Sequence, residues 1–147
     1  MRLRDAAREH RDVAFPECAM AIRIVRLGSP RLPNEGTRLG TVRRPPRGVR
    51  KDEFASRDFY DVWLPTLAPQ ADTVALAFAA TTPRDWAAFA RRYRSEMSKG
   101  EARHVLDTLA ALSHGADFSV VCYCEDESRC HRSLLRELLI ERGAAVI

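Results

Sequence analysis

Cys122, Cys124, Cys130 and His131 fall within one short stretch, Val120-Val-Cys122-Tyr-Cys124-Glu125-Asp-Glu-Ser-Arg-Cys130-His131-Arg132. Thiols, an imidazole and a guanidinium so close in sequence support two kinds of chemistry. A cysteine near a helix start gains thiolate character from the free N–H groups and the helix dipole. On that reading Cys130 is the nucleophile or redox thiol, His131 its proton acceptor, and Arg132 a fork for an anionic oxygen. Cys124 would be a second thiol able to form a reversible disulfide with Cys130. Glu125 lies in the same loop and is grouped with the substrate-facing residues. The same residues are also zinc donor types. Cys122 and Cys124 project from one face of a strand and, with Cys130 and His131, make a four-ligand set. Against zinc, adjacent helical residues such as Cys130 and His131 point about 100° apart. Against a phosphate cradle, the loop holds three acids and no glycine. A third reading packs Cys122 and Cys124 as small apolar residues beneath a helix. On that reading Arg132 pairs with Glu125 or Asp126.

A second chemical feature is a basic run. Arg38, Arg43, Arg44, Arg47, Arg50 and Lys51 come with no acid between them, in a chain whose net charge is +4. Local positive charge predicts an anionic partner. Arg47 and Arg43 are therefore candidate substrate-binding residues for a small anionic or phosphate-bearing molecule. The alternative is a nucleic-acid-binding loop, although no aromatic residue interleaves the run for base stacking.

The surrounding elements must place these residues together. At 147 residues and 46% hydrophobic, the chain is long enough for one cored domain. No apolar run approaches membrane-spanning length, and a cytoplasmic location with reduced thiols is the expectation. Residues 1–18, which include Cys18, read as an N-terminal arm, and residues 19–147 as a single α/β domain. Strands are expected at 19–27, 37–43 and 118–124, with a further one beginning at 144. Aromatic spacing predicts a helix over 52–67. Residues 72–80 fit either a helix or a buried strand. Thr82, Pro83 and Asp85 have the pattern of a capped helix start, and Trp86, Phe89, Tyr93 and Met97 continue its apolar stripe. Arg91, Arg92 and Arg94 lie off that stripe and are expected in solvent. Further helices are expected over 101–113 and from 128 or 130 to about 142. The alternation predicts a Rossmann-like, mostly parallel sheet flanked by helices, with the site at the carboxyl end of the 118–124 strand.

Several blocks together resemble a known family. They are Glu35-Gly36-Thr-Arg38, Pro46-Arg47-Gly48, Asp61-Val-Trp63-Leu-Pro65, Trp86-Ala-Ala-Phe89 and Cys130-His131-Arg132. The chain resembles the YeaO-like branch of the domain-of-unknown-function 488 family from about residue 22 to 143. That resemblance implies a small bacterial α/β protein with no settled activity. Val42 stands where the family often has an aspartate, and Pro45 where a tryptophan is common. Cys124 takes a place that is often glutamate in the wider family.

Overall fold

The structure is a computed structural model that describes residues 20–124 and 126–147. The arm at 1–18, with Cys18, and Glu125 lie outside the described residues. Four strands, β1 (Ile22–Arg26), β2 (Thr37–Gly40), β3 (Val62–Trp63) and β4 (Phe118–Cys122), form one all-parallel sheet in the order β1-β4-β2-β3. Four helices flank it: α1 (Ala71–Ala79), α2 (Pro83–Met97), α3 (Gly100–Leu112) and α4 (His131–Glu141). This is an α/β domain of the Rossmann-like kind. The first two strands do not pair with each other, because β4 inserts between them.

β4 is buried at every position, as an interior strand of a parallel sheet should be. Its Phe118 and Val120 pack with Ile22 and Ile24 of β1 against Phe89, Tyr93, Leu106, Leu135 and Leu139 of the helices. Val121 faces the other way, into a smaller cluster with Leu27, Val42, Phe54 and Tyr60. That second face is closed by irregular chain rather than by a helix.

The expected helix over 52–67 is therefore corrected. Only a short 3-10 turn forms at Lys51–Glu53, followed by β3. Asp58 has φ of 59°, a left-handed conformation that interrupts a helix. Phe54, Phe59 and Tyr60 instead meet edge-on in the smaller core. Residues 72–79 are helical, within α1, and Ala80 is its extended C-cap. The expected strand from 144 amounts to one bridge between Ile22 and Val146. Helix α2 begins as expected, with Thr82 and Asp85 forming a reciprocal capping box. Arg91 and Arg92 are exposed as expected and Arg94 is half-buried, and two of the three are paired. Arg92 binds Asp72 of α1, and Arg94 binds Glu137 and Glu141 of α4.

Arg38 departs most from its sequence expectation. Rather than belonging to a surface patch, it is fully buried in a two-point ion pair with Glu35. Its remaining donors reach the Asp58 carbonyl and Ser29. Glu35 is also buried, and its carboxyl is held below the usual range. Burial opposes that, but hydrogen bonds from Arg38 and the Leu32 N–H outweigh it.

Candidate active site

The site forms where β4 ends and the chain turns into α4. A 3-10 turn at Glu127–Arg129 leads into Cys130, which is extended (φ −126°, ψ 151°) and caps α4. Because Cys130 is not helical, the 100° separation expected between it and His131 does not apply. Both side chains turn toward the end of β4.

The Sγ atoms of Cys122, Cys124 and Cys130 all lie within 4.8 Å of one another. His131 Nδ1 is 3.6 Å from Cys122 Sγ and 3.8 Å from Cys130 Sγ. The other ring nitrogen, Nε2, donates to the backbone carbonyl of Thr41 at 2.8 Å. A carbonyl only accepts, so Nε2 carries the hydrogen; Nδ1 offers the thiols a lone pair when the ring is neutral and an N–H when it is protonated. Thr41 is itself pinned, since its N–H and its hydroxyl both bond the Val121 carbonyl at 3.0 Å. Tyr93 meets the imidazole edge-on at 5.5 Å. The imidazole is thus oriented by the end of β2 and by α2, not only by its own helix.

Within the cluster the three thiols are shifted in different directions. Hydrogen bonds from Cys122 and Cys124 pull the Cys130 thiol well below the ordinary value, His131 adds to this, and burial opposes it. Cys122 moves the other way. A bond from Cys124 favours its thiolate, but donation to Cys130 and burial push it up to about 12. Cys124 is raised as well, by its bonds to Cys122 and Cys130 and by burial. The directions of these shifts favour negative charge on the Cys130 sulfur over the other two. The cluster is also a sulfur and nitrogen donor set of the type zinc accepts.

The cluster floors a cavity of about 380 Å³, within the usual range for small-molecule sites. Val42, Val74, Phe78 and Phe89 supply apolar wall, and Arg43, Arg44 and Arg129 the positive charge. Among the described residues, no acidic side chain lines it.

The arginines expected here are placed differently from one another. Arg43 lines the cavity, but its guanidinium is committed to the carbonyls of Pro65, Ala68 and Pro69 at 2.8–3.1 Å. Arg47 is exposed and does not line the cavity. Arg132 is buried, and its Nη2 donates to the Cys124 carbonyl at 2.6 Å. Its Nε is buried with no partner among the described residues. Thr41, Phe78 and Arg129 are not singled out from sequence, and Arg44 is named only within the basic run. Thr41 acts through a backbone carbonyl, which no side-chain pattern reveals. Arg44 was legible as part of the basic run, and Arg129 as the neighbour of Cys130.

Among the described residues, no helix is long and apolar enough to cross a membrane. No curated protein matches the chain, and neither does any solved structure. A family model described as the active DUF488-N3 subclade matches residues 22–143. The match does not single out the YeaO-like branch. Among the described residues it spans every strand, every helix and the cysteine cluster, and the chain belongs to the DUF488 family.

Proposed function

We propose that the protein is a thiol-dependent enzyme in which the Cys130 sulfur attacks an electrophilic carbon or phosphorus of a small anionic substrate, the bond to sulfur forming as the bond to the leaving group breaks and the departing group taking up the proton held by His131. The observation that carries this reading is the position of the thiol cluster at the floor of an open, basic cavity. A purely structural cluster needs no cavity, and a packed core cysteine needs no oriented imidazole. In this reading His131 takes or returns the thiol proton through Nδ1. Cys122 and Cys124 donate to the Cys130 sulfur and hold its charge. Thr41 and Arg132 are positioning residues, one fixing the imidazole and the other the backbone of Cys124. The subclade's description as active accords with a functional rather than vestigial site.

The test is alkylation of each cysteine against pH, read by mass spectrometry, with and without a chelator. Rapid labelling of Cys130 at mildly acidic pH, unchanged by chelator, is expected. Labelling of Cys122, Cys124 and Cys130 that appears only after chelation would replace this reading with a metal centre completed by His131. Inert cysteines under both conditions would reduce the cluster to core packing.

A further inference from the structure

We infer that the cavity above the cysteines takes an amphipathic organic anion, an aryl or alkyl body bearing a phosphate or carboxylate, with Arg44 and Arg129 as its charge clamp. The inference rests on the cavity being the reaction site and adds the class of molecule that fills it.

Three observations converge. The first is the charge left over after internal pairing. Arg43 already serves three carbonyls, and Arg132 is buried behind the loop. Arg44 and Arg129 are exposed lining residues whose guanidiniums make no hydrogen bond or ion pair with another described residue. Asp126 lies near Arg129, but its carboxyl is held down chiefly by Ser128, with Arg129 a smaller influence. Among the described residues, an incoming anion therefore meets two available forks and no lining acid.

The second observation is Phe78. It is 85% exposed at the cavity wall, on a helix whose other side is tied down. Thr73 of α1 bonds Glu96 of α2, and Asp72 pairs with Arg92. A large aromatic side chain held in water on an anchored helix is unfavourable unless something covers it. An apolar ligand body lying across Phe78, Val74 and Val42 would cover it. The third is the order of the parts. Of the lining residues, Cys122 and Cys130 are buried whereas Arg44, Arg129 and Phe78 are exposed, so a ligand held by the exposed arginines and Phe78 has the thiols on its buried side.

The test uses two fluorescent probes with one aromatic frame, 1-anilinonaphthalene-8-sulfonate and the uncharged N-phenyl-1-naphthylamine, titrated into the full chain. The sulfonate is expected to bind about tenfold tighter than the neutral dye, the gain from a pair of charge-assisted hydrogen bonds. The double variant Arg44→Gln with Arg129→Gln should lose that tenfold and leave the neutral dye unchanged. Phe78→Ser should weaken both dyes alike. Circular dichroism and melting curves show that each variant stays folded, since such dyes also mark loosened chains. Equal binding of the two dyes overturns the clamp, as does a double variant that keeps its sulfonate affinity. Benzoate and phenyl phosphate as competitors separate the two sources of the charge, and displacement by neither overturns the assignment. A parallel measurement compares iodoacetate with iodoacetamide at Cys130. Arginine-dependent dye binding beside an inert Cys130 would overturn the thiol chemistry while leaving the anion site standing. A reactive Cys130 whose iodoacetate-to-iodoacetamide ratio ignores the double variant would overturn the anion site alone.

Discussion

His131 illustrates how one residue can be set by partners far away in sequence. Its Nε2–H is held by the Thr41 carbonyl, which leaves Nδ1 for the thiols. His131→Gln keeps an amide donor within reach of Thr41 and removes the proton acceptor. The expected outcome is about tenfold slower alkylation of Cys130 at mildly acidic pH, with little change in the melting curve. The thiols also predict a pH profile of stability. Unfolded cysteines titrate near about 8.5. Cys130 is depressed in the folded state, so its contribution is fully present above that value and is lost as pH falls toward its folded pKa. Cys122 is raised to about 12, so its contribution is present below about 8.5 and is lost as pH rises toward 12. Stability from the cluster should therefore peak near about pH 8.5. Urea midpoints across pH, compared with a variant carrying serine at 122, 124 and 130, check this. A variant whose profile retains the same peak would assign it to other groups.

At the scale of elements, the turn into β2 is the tightest point. Gly36 has φ of 70°, and a Cβ placed there would lie 1.9 Å from the Asp117 carbonyl oxygen, just before β4. The chain can bring β2 beside β4 only with glycine at this position. Gly36→Ala is expected to lower stability by more than about 2 kcal/mol, measured by chemical denaturation. A loss below about 0.5 kcal/mol would mean that the turn relaxes freely. The helices were legible where local signals agreed with tertiary demands. α2 has its capping box and apolar stripe, and it formed within a residue of expectation. The 52–67 segment had an equally suggestive aromatic spacing and is not a helix. Its Phe54 and Tyr60 are needed to close the second face of the sheet, and Gly40 lets the Tyr60 ring sit directly on β2. Burial of those rings outweighs a modest helix propensity.

For the whole molecule, the core and the cavity are separable. Leu135 is fully buried among the helices, whereas Phe78 borders the cavity and is largely exposed. Leu135→Ala should cost about 2–5 kcal/mol of stability, and Phe78→Ser less than about 0.5 kcal/mol. Denaturation of both variants decides this, and a large loss from Phe78→Ser would place that ring in the core instead. The sequence by itself determined the α/β class, the buried β4 strand, the capped start of α2 and the grouping of three cysteines and a histidine where β4 gives way to α4. Those features depend on periodicity and on residues close in the chain. Tertiary structure alone decided that β4 separates β1 from β2, that Arg38 is buried against Glu35, and that Thr41 orients His131 from 90 residues away. It also sorted the arginines, committing Arg43 and Arg132 to backbone carbonyls and leaving Arg44 and Arg129 exposed at the cavity rim. The physical reason is that buried donors and charges must find partners, and those partners come from whichever strand or loop the packing brings near, however distant in sequence.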